Sequence, residues 1–413
     1  MIFDKILIYT VTYFGLFTAV FFLITFLENR KKISNPKMKD YPKVTFGIPM
    51  FNVADHIKLT VDSLLNLNYP KDKIEIMIVD DGSTDDSYGI AKEYEKHDNV
   101  HLFRQKGAGK CAAINLALKN ATGEFFAVLD VDAFMTPDSL KKMMGYFKNP
   151  KVMAVTPSLK VYAPKSFLQK IQMLEFLLGV FLRKVFAHLG SIHVTPGCGT
   201  IYRKEFFDKT GPYEEGNLTE DIEVAYRIQT YDYVIENSVD ANVYTLGVNK
   251  FRPLLNQRLR WYKGFLDNTV KYRRVFSAKY GNLGLFVLPS AFLSIGIAVV
   301  MSVYAISKFL QHAYINLSAF IYTNFDISQY FRWSFDPFFL NMNGIFVLAI
   351  FSLIASLASI MIAKRFSRER QPIAFSYILF CFAYLFLFAF WWATAGYYKL
   401  TKRKIKWGNK YFS

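Results

Sequence analysis

Four stretches of the chain carry no charged residue and exceed the roughly 20 residues needed to cross a bilayer. They are Ile6–Leu27, Gly281–Ser307, Met342–Ala363 and Ile373–Gly396. The first is long for a signal peptide and has no small-residue cleavage site before Glu28. Buried core helices could have the same composition, but four such stretches near the two chain ends favour membrane spans.

Basic residues beside these stretches predict an orientation, because cytoplasmic flanks are rich in Lys and Arg. They include Arg30, Lys31, Lys32, Lys37 and Lys39 after the first stretch, and Arg365, Arg368 and Arg370 before the last. The region between the first and second stretches is therefore predicted to be cytoplasmic. Four crossings would leave the basic C-terminal tail outside. Either a further crossing or re-entrant piece lies within His312–Phe339, or the last stretch does not cross.

The region between the first two stretches alternates short apolar runs with helical patterns. The runs predicted as strands are Val44–Ile48, Ile74–Val79, Val100–Phe103 and Phe125–Leu129, and the helical patterns are Val61–Leu67, Ser87–Lys96 and Cys111–Lys119. This alternation predicts an α/β fold with a mostly parallel sheet. Ligands bind such sheets beyond the carboxyl ends of the strands, where two acidic clusters fall.

Composition narrows the class of protein. The 413 residues are 52% hydrophobic and 17% aromatic, with a net charge of +17 from 50 Lys and Arg against 33 Asp and Glu. This apolar content excludes a disordered chain and fits a membrane protein with basic flanks. A nucleic-acid binder would explain the charge but not the 41 Phe residues. Three distant Cys residues indicate neither a zinc site nor a disulfide framework.

The acidic clusters are the first candidate chemistry. Asp130 and Asp132 close an apolar strand, and like charges placed together are costly unless a cation or donor compensates them. A hard divalent cation that also binds phosphate oxygens is a natural partner. A D-x-D pair alone is a weak motif that is common on solvated turns. Asp80 and Asp81, followed by Gly and Ser, are equally compatible with ordinary turn chemistry.

Three later features have plain structural explanations when each is taken alone. Asp221 heads the helical pattern Ile222–Ile228, where an acidic residue can be an N-cap. Trp261 and its basic neighbours could anchor the chain at the membrane edge. The stretches 167–185 and 265–276 combine an apolar face with basic residues, which predicts interfacial helices, although the first could also be a core helix.

The order of the motifs is more specific than any one of them. The chain reads Pro49-Met50-Phe51-Asn52, Asp80-Asp81-Gly82-Ser83, Gly109-Lys110 followed by Asn115, Asp130-Val131-Asp132, Thr219-Glu220-Asp221 and Gln257-Arg258-Leu259-Arg260-Trp261. This series resembles the membrane-embedded, inverting family 2 glycosyltransferases, namely cellulose, chitin, hyaluronan and poly-N-acetylglucosamine synthases. Most members have Glu where Val53 stands, at a position that is not catalytic in the family pattern.

The resemblance implies a role for each motif residue. Asp221 is the expected general base, and Asp132 the expected ligand of Mg²⁺ or Mn²⁺. Substrate contacts are expected from Asn52, Asp80, Asp81, Lys110, Asp130, Glu220, Gln257, Arg260 and Trp261. Among these, Lys110 and Arg260 would reach the diphosphate, and Trp261 would stack on the acceptor sugar. Gly197 and Gly199 would let the backbone approach the acceptor.

The resemblance also implies an architecture. A nucleotide-sugar-binding domain of the GT-A type, 29–280 with its interfacial helices, would be inserted between transmembrane α-helices. A membrane helix, 1–28, would precede it, and a region with three or more spans and a basic tail, 281–413, would follow. The expected location is the plasma membrane, crossed several times, with the catalytic domain in the cytoplasm.

The expected activity is that of a metal-dependent hexosyltransferase. A UDP-sugar, with UDP-GlcNAc favoured, would extend a β-linked polysaccharide that is translocated through the membrane helices. The alternative is a non-processive transferase that adds one sugar to a lipid-linked acceptor. A transporter with a nucleotide-sensing domain is disfavoured by spans without intramembrane charges. Expected partners are the donor, the growing polysaccharide or lipid-linked acceptor, and membrane lipids, without nucleic acid; an accessory membrane subunit is left open.

Overall fold

A computed structural model describes residues 2–38, 40–322, 344–407 and 410–412 of the chain. The strands are β1 (Val44–Met50), β2 (Ile74–Asp80), β3 (Val100–Arg104), β4 (Phe125–Leu129), β5 (Ala133–Met135), β6 (Val152–Tyr162), β7 (Cys198–Arg203), β8 (Val234–Leu246), β9 (Ile405–Trp407) and β10 (Lys410–Phe412). The helices are α1 (Ile2–Glu28), α2 (Ile57–Leu65), α3 (Ser87–Lys92), α4 (Lys110–Asn120), α5 (Ser139–Met144), α6 (Phe167–His188), α7 (Lys204–Thr210), α8 (Glu220–Thr230), α9 (Phe251–Lys271), α10 (Leu288–Tyr322), α11 (Gly344–Phe366) and α12 (Ala374–Leu400).

Eight strands form one sheet in the order β3-β2-β1-β4-β7-β6-β8-β5. The first four strands in this order are parallel, as the alternation of strands and helices predicts. Beyond β4 the sheet becomes mixed, because β7 runs antiparallel to both β4 and β6, while β8 is parallel to β6. Every residue of β2 and β4 is buried, so helices cover both faces of the parallel half.

The predicted strands are confirmed, with ends that shift by at most two residues. The helix predicted over 61–67 begins four residues earlier at Ile57, and the pattern 87–96 divides into α3 and a short 3-10 helix, Glu93–Lys96. The strands β5 to β8 of the mixed half of the sheet were not predicted. Polar residues interrupt their apolar pattern, and Pro157 lies inside β6.

Four helices are long and apolar enough to cross a membrane: Asp4–Glu28, Leu283–Tyr322, Gly344–Phe366 and Ala374–Leu400. They include the four stretches predicted from the sequence, apart from one or two residues at the N-terminal ends of three of them. The second extends to Tyr322, so the first part of the predicted extra piece, 312–322, belongs to α10. The remainder of that piece lies outside the described residues.

The helix α12 and the residues just before it contact the region between α1 and α10 at both ends of the helix. Just before it, Glu369 pairs with Lys160 of β6 at 3.4 Å. At its far end, Lys399 pairs with Asp267 of α9. Between these points it packs along α6 and α9, with the Trp392 ring stacked on a tyrosine of α9. These contacts place α12 beside the region between α1 and α10 along much of its length.

The predicted interfacial helices connect the sheet to the apolar helices. The helix α6 buries Ile171, Leu174, Phe181 and Val185 and contacts α1, α11 and α12 on one side and β6 and β8 on the other. Its apolar face is therefore covered largely by protein. The helix α9 packs on α8 and α12.

Candidate active site

A lysine and two carboxylates form the centre of the candidate site. Lys110 begins α4, and its Nζ lies 2.7 Å from Asp130 Oδ1 and 2.7 Å from Glu220 Oε1. Burial alone would lower the pKa of Lys110, but these carboxylates raise it well above its usual range. Burial would likewise raise the pKa of Asp130, yet the Lys110 ammonium holds it below the usual range. The Lys110 ammonium therefore forms one ion pair with Asp130, which follows β4, and a second with Glu220 of α8.

Asp132 lies beside this cluster in a different electrostatic setting. Burial and then the neighbouring Asp130 charge raise the pKa of Asp132 to about 6. Within the described ranges, no basic side chain forms an ion pair with it. Ligand atoms of Asp130, Asp132 and Cys198 all lie within 4.8 Å of one another.

This donor set fits a hard divalent cation held by the two carboxylates. A cation would also relieve the repulsion that raises the pKa of Asp132. The third group is a poorer ligand, because burial and the charges of Asp130 and Asp132 raise the pKa of the Cys198 thiol well above its usual range. A thiol that stays protonated is also a weak nucleophile.

Glycines leave room beside the lysine and the aspartates. A Cβ atom on Gly197 would lie 3.2 Å from both Asp130 Oδ2 and Lys110 Nζ. Gly199 has a φ of +87°, in the left-handed region that favours glycine. The turn before β7 can therefore pass close to the charged cluster.

Asp221 lies in the first turn of α8, next to Glu220. The helix N-cap is Thr219, so the sequence interpretation of Asp221 as a plain cap is wrong. The main-chain oxygen of Asp221 accepts hydrogen bonds from the backbone N–H and the hydroxyl of Thr195, at 3.2 and 2.7 Å. Burial and then the Glu220 charge raise the pKa of Asp221 to about 7. This carboxylate can therefore accept or release a proton near neutral pH.

The helix α9 packs tightly against the turn that carries Asp221. A Cβ atom on Gly264 would lie only 2.3 Å from Thr219 Oγ1. Asn268 donates to Thr219 Oγ1 at 2.9 Å. Arg260 donates to the Leu218 carbonyl at 2.8 Å, and its charge acts on Lys110, Asp130 and Asp221. These contacts bring Arg260 to the same site as the acidic cluster.

The other two predicted residues of α9 are grouped around Arg258. The guanidinium carbon of Arg258 lies 4.2 Å from the centre of the Trp261 ring. The same guanidinium donates to Gln257 Oε1 at 3.5 Å. Arg258 is fully buried and pairs with Glu175 of α6 at 2.6 Å. One face of Trp261 is therefore covered by an arginine that bridges two helices.

Asn52, Asp80 and Asp81 shape the loops at the ends of β1 and β2. Asp80 is fully buried, accepts from the Ser83 backbone N–H at 3.0 Å and pairs with Arg104 at 3.0 Å. Asp81 accepts from the backbone N–H groups of Ala108 and Gly109 at 2.7 and 2.8 Å. Asp81 thus fixes the loop that leads into Lys110.

Asn52 is exposed and has a φ of 51°. Its side-chain oxygen accepts from the Thr84 backbone N–H at 2.8 Å. Asn52, Asp80 and Asp81 thus accept hydrogen bonds from backbone N–H groups of the loops that follow β2 and β3. Such bonds are what the turn interpretation of Asp80 and Asp81 expects.

Three residues near the site were not predicted. Arg183 of α6 donates to the Pro157 carbonyl at 3.3 Å, and the charge of Asp221 acts on it. Arg258 and Glu175 were also missed as a pair. The sequence signal for Arg183 and Glu175 was a charged residue within an otherwise apolar helical pattern, which by itself resembles an interfacial helix, whereas Arg258 stands inside the Gln257–Trp261 motif.

The parallel strands that end in two acidic clusters, the mixed second half of the sheet and the lysine–carboxylate centre define a glycosyltransferase of the GT-A type. Residues 45–211 match the model of Glycosyl transferase family 2 and form a domain of that family. Helices long and apolar enough to span a membrane flank this domain. The predicted resemblance to membrane-embedded family 2 enzymes is thus confirmed.

Two curated relatives cover different shares of the chain. The poly-beta-1,6-N-acetyl-D-glucosamine synthase of Staphylococcus epidermidis is 28% identical over 346 residues, which are 83% of this chain and 80% of the relative. The beta-monoglucosyldiacylglycerol synthase of Nostoc sp. is 31% identical over 266 residues, which are 60% of this chain and 57% of the relative.

One solved structure shares the fold over nearly the whole chain. The mannosyltransferase PcManGT from Pyrobaculum calidifontis, in complex with GDP-Man and Mn²⁺, superposes with a TM-score of 0.58. It is 17% identical, and the match covers 97% of this chain and 99% of that chain. The flanking helices are therefore part of the shared fold.

Proposed function

We propose that this glycosyltransferase uses UDP-GlcNAc to extend a β-linked polysaccharide and passes the product across the membrane. The single observation that carries the transfer chemistry is Asp221, a carboxylate with a pKa of about 7 beside the Lys110 cluster. The similarity to a poly-β-1,6-N-acetylglucosamine synthase over 83% of the chain supports the choice of donor and product.

In the proposed reaction, an acceptor hydroxyl oxygen forms a bond to the anomeric carbon while the bond to the diphosphate breaks. Asp221 takes the hydroxyl proton as the new bond forms. A single displacement inverts the sugar, so an α-linked donor gives a β-linked product. The nucleoside diphosphate leaves with the bonding electrons, and its charge must be stabilised.

Cationic side chains are available for that stabilisation. Arg260 has the planar fork that binds phosphate oxygens in pairs, and Lys110 contributes a compact ammonium. Asp130 and Asp132 would hold Mg²⁺ or Mn²⁺, which when bound neutralises phosphate charge without proton transfer. Asn52, Asp80, Asp81, Glu220 and Gln257 would position the nucleotide or acceptor.

A single transfer to a lipid remains the second candidate, because the relative from Nostoc is named for glucosyl transfer to diacylglycerol. The groups on α9 favour elongation instead. Trp261 lies on the same helix as Arg260, and an aromatic ring can hold a sugar by its apolar face. A chain held there between additions would be extended repeatedly.

The proposed orientation places the catalytic domain in the cytoplasm, where nucleotide sugars are made. Support comes from the basic residues that follow α1 and from those between α11 and α12. Since both ends of α12 contact the catalytic region, the basic tail would lie on the same side.

A donor screen on membranes tests this function. Membranes that contain the full chain are incubated separately with labelled UDP-GlcNAc, UDP-Glc and UDP-GlcA, and products are separated into polymer, lipid extract and free sugar. We expect polymer from UDP-GlcNAc alone, formed about 10²–10⁴-fold more slowly by the Asp221→Asn variant. Label confined to the lipid extract would support the second candidate, and polymer from another donor would overturn the sugar assignment.

A further inference from the structure

A pocket of about 390 Å³ opens where α11 ends and the chain turns toward α12. We refer to it as the α11–α12 pocket. Its lining residues are Met361, Lys364, Arg365, Arg368, Glu369 and Arg370. It lies outside the candidate active site, and none of these residues has a role in the proposed reaction.

The pocket has a strong positive excess, with four cationic side chains and one carboxylate. The carboxylate is already engaged, because Glu369 pairs with the buried Lys160 at 3.4 Å and accepts backbone N–H groups of Arg370 and Gln371 at 2.8 and 2.9 Å. It therefore leaves little negative charge for the pocket cations.

The four cationic side chains of the pocket differ in the hydrogen-bond and ion-pair partners that the protein gives them. Lys364 donates to the Gln371 carbonyl at 2.8 Å, and Arg368 lies 4.0 Å from a carboxylate oxygen of Asp240. Arg365 and Arg370 are exposed, and within the described parts of the chain neither forms an ion pair with an acidic side chain. The dipole of α11 favours cations in its last turn, but Arg370 lies beyond that turn.

The other side of the pocket is apolar and continues along a candidate membrane span. Met361 is one turn before Arg365, and its surface is 52% exposed. Leu357 and Ile354 precede Met361 on the same helical face and are also exposed. A single surface therefore joins guanidinium groups at the end of the span to an apolar stripe within it.

We propose that the α11–α12 pocket binds the phosphate group of an anionic phospholipid, with an acyl chain along Met361, Leu357 and Ile354. Basic pockets at the ends of membrane helices suit such headgroups, since guanidinium groups bind phosphate oxygens in pairs. A free phosphate compound would satisfy the cations but would not use the apolar stripe. Because Glu369 pairs with Lys160, near the C-terminal end of β6, the bound lipid would lie close to the place where the sheet meets the membrane helices.

Lipid titration of the purified full chain in an uncharged detergent tests the proposal, with native mass spectrometry to count bound lipid. The probes are phosphatidylglycerol, phosphatidylcholine and glycerol phosphate. The test variant is Arg365→Gln/Arg370→Gln. The matched control, Lys92→Gln/Lys96→Gln, removes two exposed cations that lie between β2 and β3, away from the membrane helices in the chain, and gives the same change in charge.

We expect the wild type to prefer phosphatidylglycerol over both other probes. The pocket variant should lose at least about tenfold in phosphatidylglycerol affinity, and the control less than about twofold. Equal losses in both variants, or no loss in either, would overturn the pocket. Equal binding of glycerol phosphate would overturn the lipid assignment. If the double variant folds poorly, Arg370→Gln alone should still weaken binding about fivefold.

Discussion

Neighbouring carboxylates in the candidate site differ in their affinity for protons because they face different charges. Asp130 keeps a low pKa through its contact with Lys110, while burial and like charges raise the pKa of Asp132 to about 6 and that of Asp221 to about 7. Groups whose pKa values are pushed apart in one site can take different parts in a reaction. Asp221 suits proton transfer, and Asp132 suits a cation.

The Asp221→Asn variant should retain the shape of the site but lose the proton acceptor. We expect the rate at saturating donor to fall about 10²–10⁴-fold, with donor affinity nearly unchanged. Initial rates and equilibrium binding of UDP-GlcNAc check this. A large loss of donor binding with a normal rate at saturation would instead indicate a nucleotide contact.

The pH dependence of the rate follows from the raised pKa of Asp221. Below about pH 7 the carboxylate is protonated and cannot accept a proton, so the rate should fall on the acid side with a midpoint near 7. Rates of the wild type measured from pH 5 to 9 give the profile. The residual activity of Asp221→Asn should not show this fall in rate at acid pH. The same fall in the variant would show that a group other than Asp221 causes it.

Metal dependence is expected to reside in Asp132. The Asp132→Ala variant should lose turnover, because a single carboxylate next to Lys110 binds a divalent cation weakly. Protons compete for Asp132, so the Mn²⁺ affinity of the wild type should fall as the pH drops through about 6. Titration of activity with Mn²⁺ measures the turnover of the variant and the Mn²⁺ affinity of the wild type at each pH. Circular dichroism verifies that the variant is folded. Near-normal activity of Asp132→Ala that does not depend on metal would contradict the assignment.

Motif order made the acidic residues predictable, whereas their pKa values were not. A raised pKa depends on which charges meet in space, and Glu220 reaches Lys110 across more than a hundred residues of sequence. Arg183 was missed for the same reason, because nothing along the chain places α6 beside Pro157. The carboxyl ends of parallel strands were the exception, since topology alone brings them to one edge.

At the scale of elements, α9 packs closely against the N-cap of α8, near Asp221. Gly264 faces Thr219, two residues before Asp221. The Gly264→Ala variant must push the two segments apart, so we expect a large loss of transferase rate. Gly296→Ala is the matched control, because Gly296 is also helical and a Cβ there meets nothing within 4 Å. Comparable rates for both variants would show that this contact does not position Asp221.

The position of α12 makes a second prediction about an element. A single Cys at Thr401, in a chain whose three native Cys residues are replaced by Ser, should react with a membrane-impermeant maleimide from the same side as Lys96→Cys in the catalytic domain. Tyr322→Cys, at the far end of α10, should react from the opposite side. Labelling of intact and permeabilised cells measures this. Thr401→Cys that behaves like Tyr322→Cys would show that α12 crosses the membrane.

Apolar length predicted the four long helices to within a few residues at most ends, but not their placement. A helix of 27 residues can span a bilayer or lie along other helices, and composition is the same in both cases. In the sequence, the basic C-terminal tail was the only feature that argued against a fourth crossing. The pairs Glu369 with Lys160 and Lys399 with Asp267 show which parts of the protein lie near the two ends of α12, and the pattern along the chain does not contain these contacts.

The whole chain joins a transferase domain to apolar helices through α6 and α9. Arg258 and Glu175 link these two helices next to Trp261, so the proposed acceptor contact and the membrane region share one group of side chains. An enzyme with this arrangement can keep its product beside the membrane helices between additions. Repeated addition is thus the property that distinguishes the proposed function from a single transfer.

A pulse-chase experiment on the purified chain in lipid vesicles tests repeated addition most directly. A short pulse of labelled UDP-GlcNAc is followed by excess unlabelled donor, and product length is measured over time. Elongation predicts that labelled chains become steadily longer after the chase, while the number of labelled chains stays constant. A labelled product that keeps the size of one added sugar throughout the chase would contradict it.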